Sequence, residues 1–327
     1  MKALVCQSLD GGDLSWQAVA EPVVDGGQLL IDVKAASVNF PDALLVQDKY
    51  QIRLQPPFVP GMKVAGVVSA TGAQTQGFAV GDRVSAVLPE FGGFAERVAV
   101  GAGFVFKIPD ALPFDIAACV PSVYATAYYA LNHRAHLQPD ATVLVLGAAG
   151  GIGMAATGLA SKMGARVIAA VSSDAKGSVA RKYGADHTIN YTEFDLKQPI
   201  SECTDGRGVD IVVDPVGGDV TQQALRCLAW GGRHLVIGFA AGDIPRVAAN
   251  RLLLQNISMI GVNFGGFTQR YDQQAKRVCE QMNNWLVQEP TLWPEIAERT
   301  AMAAGAAVLT RFLSRESIGK RILPLEP

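Results

Sequence analysis

Long apolar runs, blocks of like charge and clustered cysteines are all missing from the sequence. No uninterrupted apolar stretch reaches the ~18 residues that a membrane-spanning helix needs. The 28 Lys and Arg residues nearly balance the 30 Asp and Glu residues, and no basic run stands out. This argues against nucleic acids or an acidic membrane as partners. The first residues alternate like a strand and lack the apolar block of a signal peptide, so we expect a cytoplasmic protein.

Cysteine is sparse and scattered, which limits the chemistry that thiols can perform. No two cysteines lie within four residues of each other, so the C-x-x-C spacing of zinc ribbons and redox motifs is absent. We expect buried, reduced thiols at all five positions, which are Cys6, Cys119, Cys203, Cys227 and Cys279.

The pattern of apolar, Gly and Pro residues changes near residue 120, which indicates two domains in a chain of 327 residues. Up to about residue 110, short alternating runs are broken by Gly and Pro, as in a small, barrel-like β unit. Beyond residue 120, short apolar runs alternate with helical patterns, as in βαβ units on a parallel sheet. The predicted fold class is therefore α/β, a β-barrel-type domain followed by a doubly wound parallel sheet.

Several elements of the second half are predicted individually. A helix is predicted around Ala275 to Gln288, and Gly319 to Leu323 predicts a last strand that returns to the first domain. The parallel strands are predicted at 143–147, 166–171, 186–190, 209–213, 233–238 and 257–262.

The first of these parallel strands runs into a cluster of small residues and then into a helical pattern, in the stretch VLVLGAAGGIGMAATGLA. A helix N-terminus offers free N–H groups and a partial positive charge, and small residues let a phosphate approach the backbone. The dinucleotide pattern G-x-G-x-x-G is matched here with alanine in its first position. Such turns also serve ordinary packing, but the strand before and the helix after favour a dinucleotide site. The predicted phosphate-binding residues are Gly147, Ala148, Gly150, Gly151, Ile152 and Gly153.

The end of the second parallel strand indicates which dinucleotide is bound. An NAD enzyme places Asp or Glu at this point to hold the ribose 2′-hydroxyl, whereas here the position falls on Val171 or Ser172. Ser173 and Lys176 follow, and hydroxyls with a lysine suit a 2′-phosphate. We interpret the nearby Asp174 as the cap of the next helix, and we therefore predict NADP(H) as the cofactor.

Nine stretches, in chain order, carry a resemblance to a known family: AASVNFPDAL, PPFVPGMKVAGVV, VGDRV, ATAYYAL, VLGAAGGIG, KYGADHTINY, GVDIVVDPVGG, GGRHLVIGFAAG and GKRIL. The chain resembles the zinc-free quinone oxidoreductase, or zeta-crystallin-like, branch of the medium-chain dehydrogenase/reductase superfamily. The resemblance covers almost the whole chain. It implies a GroES-like catalytic domain over residues 1–122, completed by 267–327, and a Rossmann NADPH-binding domain over 123–266. It also implies a homodimer.

The positions that match the catalytic zinc ligands of the family's alcohol dehydrogenases carry other residues here. Those enzymes use a Cys, a His–Glu pair and a second Cys, and the matching positions read Asn39, Met62 with Lys63, and Ser122. This set does not supply the three N, S or carboxylate ligands of a catalytic zinc site. The Cys-rich loop of a structural zinc is missing too. We expect no metal.

The resemblance also suggests roles for residues outside the glycine turn. Asn39, Tyr50 and Thr126 match catalytic positions near the nicotinamide, although a turn residue, a loop aromatic and helix packing are the ordinary alternatives. Leu44 replaces a second family tyrosine of the acceptor site. The remaining residues matched to the cofactor, for which a solvated or core position is the alternative, are Ser172, Ser173, Lys176, Tyr191, Phe239, Phe264 and Lys320.

Three functions fit these observations: an NADPH-dependent quinone reductase, an NADPH-dependent reductase of α,β-unsaturated carbonyls or carboxylates, and an NADPH-binding protein without catalytic activity. The third would have a structural or RNA-associated role, and the near-neutral charge without a basic patch counts against RNA. The expected partner is a small molecule and no nucleic acid. No His, Cys or acid in the motifs is placed as a strong general acid. For a reductase we expect Asn39 to donate a hydrogen bond to the acceptor and water or Tyr50 to supply the proton. Hydride transfer should then depend only weakly on pH between about 6 and 8.

Overall fold

The computed structural model describes residues 1–9, 13–312 and 318–325. The chain divides into two compact units. One comprises Met1–Ser122 with Gly266–Pro327, and the other comprises Val123–Gly265.

The first unit is built around one long central strand. Its N-terminal part contains β1 (Lys2–Cys6), β2 (Leu14–Ala18), β3 (Gln28–Val38), β4 (Lys63–Thr71), β5 (Arg83–Val87), β6 (Arg97–Gly101) and β7 (Val105–Lys107), with helices α1 (Phe40–Leu45) and α2 (Phe114–Ala117). Strand β3 pairs antiparallel with both β4 and β6, and β1 forms a separate hairpin with β2. The side chains that β3 turns inward, including Leu29, Ile31 and Val33, form the core of this unit.

The second unit is a doubly wound parallel sheet. Its elements are α3 (Ala125–Tyr128), β8 (Thr142–Leu146), α4 (Gly151–Lys162), β9 (Arg166–Val171), α5 (Asp174–Lys182), β10 (His187–Asn190), α6 (Lys197–Cys203), β11 (Val209–Asp214), α7 (Gly218–Leu225), β12 (Leu228–Val236), α8 (Ala249–Gln255) and β13 (Ser258–Gly261). The strand order is β10-β9-β8-β11-β12-β13, and every pairing is parallel. Strand β8 lies near the centre and is buried along its whole length, as a parallel strand covered on both faces should be.

The six predicted parallel strands are confirmed, and only the start of β12 differs notably. It begins at Leu228, five residues before the predicted start at 233. The register against β11 shifts between the Val209–Leu228 and Ile211–Arg233 pairs, and Gly231 has a positive φ of 77°. This irregularity places two glycines inside the strand, where the sequence pattern is typical of a turn.

From Gly266 onward the C-terminal elements belong to the first unit. They are α9 (Phe264–Arg270), α10 (Asp272–Gln288), β14 (Ile296–Arg299), α11 (Gly305–Phe312) and β15 (Lys320–Pro324). The first two residues of α9 still belong to the second unit. The predicted last strand is confirmed, because β15 pairs antiparallel with β3 and extends the sheet of the first unit. Within the described part of the chain, no helix combines the length and the hydropathy needed to cross a bilayer.

Candidate active site

The glycine turn after β8 needs its small residues for two physical reasons. Gly147 has a φ of +59°, in the left-handed region, and a Cβ there would lie 2.8 Å from Val216 Cγ2. A Cβ on Gly153 would lie 2.2 Å from the Gly147 carbonyl oxygen, so only glycine lets α4 pack this closely on the turn. Ala148 is buried and does not adopt a left-handed backbone conformation, which is why alanine fits the first position of the pattern.

The N-terminus of α4 fits a phosphate group. Gly150 is the N-cap, no side chain caps the helix, and no acidic residue lies in its first turn. The first intrahelical hydrogen bond runs from Met154 N–H to Gly150 O at 2.8 Å, so the N–H groups of Gly151, Ile152 and Gly153 have no intrahelical acceptor. These donors and the helix dipole together favour an anion.

The polar residues after β9 form a compact group in which Lys176 bonds to both serines. Lys176 Nζ donates to Ser172 Oγ at 2.8 Å. Ser173 is the N-cap of α5, and its Oγ accepts from Lys176 N–H at 3.4 Å. The interpretation of Asp174 as the cap is therefore wrong, because it is the exposed first residue of the helix. Tyr191 N–H donates to Val171 O at 3.0 Å, which places Tyr191 beside the end of β9.

The other residues predicted in the second unit lie mainly in packed positions. Thr126 is half-buried in α3. Phe264 is buried with its ring 5.7 Å from the ring of Tyr129, which is the core position weighed against a cofactor contact. Phe239 follows β12, and a Cβ on Gly217 would lie 2.9 Å from its Cδ1. The cofactor roles of these residues stay predictions.

In the first unit, Asn39 lies at the N-terminus of α1 with its amide fully engaged. Asn39 Nδ2 donates to Ser37 O at 2.8 Å and to Ser37 Oγ at 3.2 Å, and Oδ1 accepts from Lys320 Nζ at 2.8 Å. The orientation of the amide follows from chemistry, because an ammonium can only donate and a carbonyl can only accept. Asn39 Nδ2 therefore bonds to Ser37 in this structure, and the expectation that it donates to the acceptor stays a prediction.

Two buried lysines and a buried aspartate lie at this same edge of the sheet. Strand β3 ends at Val38, and its antiparallel partners β4 and β15 begin at Lys63 and Lys320, so the three strand ends meet. Helix α1 leaves from the same edge and carries Asp42 in its first turn. Asp42 is 0% exposed, Lys320 5% and Lys63 9%. We call Asn39, Asp42, Lys63 and Lys320 the lysine cluster.

Burial shifts the titration of all three charged members of the lysine cluster. It raises the pKa of Asp42 to about 6, against the hydrogen bond from Asn39 N–H and the charges of the two lysines. It lowers the pKa of Lys63 to about 8, and the attraction of Asp42 opposes this shift. The pKa of Lys320 is also lowered by burial. Sequence reasoning considered Lys63 only as a position that lacks a zinc ligand and did not single out Asp42, because a lone lysine or aspartate in sequence resembles a solvated residue.

Lys320 is joined to this site by hydrogen bonds, whereas Tyr50 is related to it only electrostatically. Lys320 Nζ donates to Val38 O and to Asn39 Oδ1, each at 2.8 Å, so both partners lie in the first unit. These bonds do not support the predicted cofactor contact, which stays a prediction. Burial raises the pKa of Tyr50, and the negative charge of Asp42 raises it further. Tyr50 therefore lies within electrostatic range of the cluster.

Two of the residues at the positions of the family's zinc ligands make hydrogen bonds within the protein. Ser122 Oγ donates to Cys119 O at 3.3 Å, and Asn39 bonds to Ser37 and Lys320. Across the described residues, no three His, Cys, Asp or Glu side chains gather as a metal site. That the protein holds no zinc stays a prediction, and elemental analysis that finds about one zinc per chain would overturn it.

We expect an Asn39→Ala variant to lose turnover by about tenfold or more while it keeps its affinity for the cofactor. The physical reason is that alanine removes one of the two acceptors of the buried Lys320 ammonium and frees Ser37. Steady-state kinetics with a saturating acceptor measure the effect. Asn284→Ala, at an exposed position on α10, is the control and should be unchanged. Unchanged turnover in a folded Asn39→Ala variant would remove this residue from the site.

Comparison with known proteins identifies relatives for both units. The family model "Alcohol dehydrogenase GroES-like domain" matches residues 25–110, and "Zinc-binding dehydrogenase" matches residues 151–280. The chain is 36% identical over 326 residues to "Quinone oxidoreductase-like protein 2" of Bos taurus, covering 99% of this chain and 93% of the relative. The predicted fold class, a GroES-like unit with a Rossmann parallel sheet, is confirmed.

Two solved structures show how closely the whole chain follows this architecture. A mycobacterial protein solved in complex with NADPH is 28% identical, with a TM-score of 0.90, over 99% of this chain and 100% of that chain. A 2-haloacrylate reductase is also 28% identical, with a TM-score of 0.87, over 100% of both chains.

Proposed function

Because the chain belongs to the zinc-free quinone oxidoreductase branch of the medium-chain dehydrogenase/reductase superfamily, we propose that it is an NADPH-dependent oxidoreductase that transfers a hydride to a quinone. Its class as a medium-chain oxidoreductase follows from the family. The cofactor and the acceptor are the proposal. An NADPH-binding protein without activity is not favoured by any contact in the described chain.

The proposal of NADPH depends mainly on one observation, the grouping of Ser172, Ser173 and Lys176. A 2′-phosphate is anionic and accepts hydrogen bonds, and this group offers one ammonium and two hydroxyls at the end of β9. Val171 ends the strand, where an acid would repel the phosphate. The N-terminus of α4 would hold the pyrophosphate. When bound, NADPH supplies the hydride.

The lysine cluster supports an acceptor that becomes negatively charged. Hydride addition to a quinone, or to an alkene conjugated with a carbonyl, leaves negative charge on an oxygen. Fixed cations near that oxygen lower the energy of the charged state more than that of the neutral one. Two lysines against one aspartate give the cluster a net positive charge when all three are ionised.

A reductase of α,β-unsaturated carbonyls or carboxylates is the second candidate. The same positive charge would also attract an acceptor that carries a carboxylate, and one close structural relative is a 2-haloacrylate reductase. Initial rates on a panel of quinones, enones and unsaturated carboxylates, each with NADPH and NADH, distinguish the two. We expect quinones to give the highest kcat/KM. Activity confined to unsaturated carboxylates would replace the first proposal by the second.

Changing Lys176 to alanine should weaken NADPH binding and spare NADH. A charged hydrogen bond to phosphate contributes about 1.5–3 kcal/mol, so the NADPH preference should fall by about tenfold or more. Dissociation constants for both cofactors, from fluorescence titration, measure this. Lys182→Ala, at the exposed end of the same helix, should change neither constant. Equal NADPH and NADH affinities in the unmodified protein would contradict the assignment.

We also propose a homodimer that forms along the open edge of the parallel sheet. Strand β13 is the edge strand, and it pairs only with β12 within the described chain. Large apolar side chains of the same unit are exposed, among them Trp230, Leu253 and Leu254. A second copy would cover both the unpaired strand and such residues. Sedimentation at the mass of a single chain would contradict this.

A further inference from the structure

The hydrogen bonds of the lysine cluster are unevenly distributed. Lys320 Nζ has two acceptors, Val38 O and Asn39 Oδ1. Asp42 Oδ2 accepts from Asn39 N–H at 2.8 Å, whereas its Oδ1 is buried and has no partner. Lys63 Nζ makes no hydrogen bond to any residue within 1–9, 13–312 or 318–325. The Lys320 ammonium is held by two protein acceptors, whereas the Lys63 ammonium has none in the described chain and is not among the fully buried polar atoms without a partner, so it keeps some contact with solvent.

A largely buried lysine whose ammonium has no protein acceptor reduces the stability of the fold. Burying a charge is unfavourable unless hydrogen bonds or an opposite charge compensate it. Asp42 offsets the cost of burying the Lys63 charge only by longer-range electrostatic attraction, since no ion pair within 4.0 Å joins the two side chains. Groups that are retained at such a cost are candidates for chemistry rather than for folding.

Tyr50 is poorly suited to deliver a proton at this site. Burial and the negative charge of Asp42 both raise its pKa above the ordinary value for tyrosine. A group that holds its proton more tightly is a weaker acid near neutral pH. Burial and the charge of Asp42 therefore disfavour Tyr50, which the sequence suggested as a proton donor.

We propose that Lys63 is a further catalytic residue, whose ammonium binds the acceptor oxygen on which negative charge develops and then protonates it. The inference rests on the proposed function. Hydride adds to a carbon of the acceptor, and the electrons of the conjugated carbonyl move to its oxygen. One N–H bond of Lys63 then breaks and an O–H bond forms. The cofactor leaves as NADP⁺, and the neutral amine regains a proton from water.

The groups around Lys63 suit this role. Asp42 on α1 raises the pKa of Lys63, whereas burial and Lys320 on β15 lower it. Cys279 on α10 is the remaining titratable group facing it, and burial raises the pKa of this thiol well above its ordinary value, so it stays neutral. The result for Lys63 is a pKa of about 8. An acid with a pKa slightly above neutral is mostly protonated at pH 7 and still releases its proton readily.

The test compares pH profiles of kcat for the full-length protein and variants of the cluster. Wild-type kcat should fall as the pH rises through about 8, where Lys63 loses its proton. Lys63→Met should lower kcat by about 100-fold, abolish this alkaline decline and leave the NADPH dissociation constant unchanged. Lys63→Arg keeps a cation that does not titrate in this range, so it should retain more activity with no decline.

An aspartate variant and a control separate catalysis from structure. Asp42→Asn removes the charge that holds the Lys63 proton, so the alkaline decline should move to lower pH, which a purely structural role would not produce. Lys34→Met, the same change at an exposed position on β3, should match the wild type. Wild-type kcat and an unchanged decline in a folded Lys63→Met protein would overturn the inference. No acceptor reduction by the wild-type protein would instead refute the proposed function, and the role of Lys63 with it.

Discussion

Replacing Gly153 by alanine is expected to disrupt the dinucleotide site strongly. The added Cβ would lie 2.2 Å from Gly147 O and 2.7 Å from Ala148 Cα. Both are backbone atoms of the phosphate turn, so the turn and α4 must move apart. Overpacking of this kind costs about 1–3 kcal/mol of folding free energy. Displacing the phosphate donors by about 1 Å should lower kcat/KM for NADPH by roughly 100-fold.

Gly27 provides the matched control for this substitution. It is exposed, its φ is not in the left-handed region, and no atom lies within 4 Å of a Cβ built there. Gly27→Ala should therefore leave both the melting temperature and kcat/KM unchanged. A Gly153→Ala protein that binds NADPH like the wild type would show that the glycine turn does not hold the cofactor.

Asp214→Asn is expected to cause a large loss of stability, about 3 kcal/mol. The carboxylate is buried at the end of β11 and accepts four hydrogen bonds. Its Oδ1 accepts from the N–H groups of Val216 and Gly217, each at 2.9 Å, and its Oδ2 accepts from Thr221 Oγ1 at 2.5 Å and His234 Nε2 at 2.9 Å. An amide cannot accept at both positions, because its NH₂ group would face donors.

The pH dependence of this loss has a definite sign. Burial raises the pKa of Asp214, but the hydrogen bonds from His234, Gly217 and Thr221 outweigh it, so the pKa is lowered below 3.8. A carboxylate with a lowered pKa stabilises the fold at higher pH, and this contribution disappears as the pH falls below 3.8. Denaturant unfolding of the wild type and Asp214→Asn should therefore differ most near neutral pH and converge in acid.

The Asp214 network also bears on the cofactor site. It fixes the loop that carries Val216, whose Cγ2 lies 2.8 Å from the position of a Cβ on Gly147. Asp214→Asn should therefore weaken NADPH binding as well as stability. Asp219→Asn, exposed in the first turn of α7, is the matched control and should alter neither property. Equal unfolding free energies for the wild type and Asp214→Asn would show that the network contributes nothing.

The parallel sheet was predictable because its strands are short apolar runs with glycines or helical patterns between them. Strand β9 occupies the predicted residues 166–171 without any change. The glycine turn was predictable for the same local reason, because steric demands of a strand–turn–helix connection act on neighbouring residues. The early start of β12 was not, since an irregular strand that contains two glycines has the composition of a turn.

The lysine cluster could not be predicted, because it depends on pairing between distant parts of the chain. Lys320 and Asn39 are 281 residues apart in sequence, and only the pairing of β15 with β3 brings them together. Lys63 is brought to the same edge by the pairing of β4 with β3, and Asp42 by helix α1, which follows β3 directly. We expected no required group to titrate between pH 6 and 8 because nothing in the sequence indicates that Lys63 and Asp42 are buried. The pKa values of about 6 for Asp42 and about 8 for Lys63 argue against that premise, and the pH profile of kcat tests it.

The central claim, direct hydride transfer from NADPH to a small acceptor, is tested most directly with a cofactor that carries deuterium at C4 of the reduced nicotinamide. The protein is mixed with this cofactor and an activated alkene or a quinone, and both the rate and the isotopic content of the products are measured. The account predicts that oxidation is slower when the deuterium lies on one particular face of the reduced ring. With an alkene as the acceptor, that deuterium should be recovered in the reduced alkene. Oxidation without an isotope effect, with the deuterium retained in NADP⁺ whichever face of the reduced ring had carried it, would contradict the account. No oxidation with any acceptor would also contradict it.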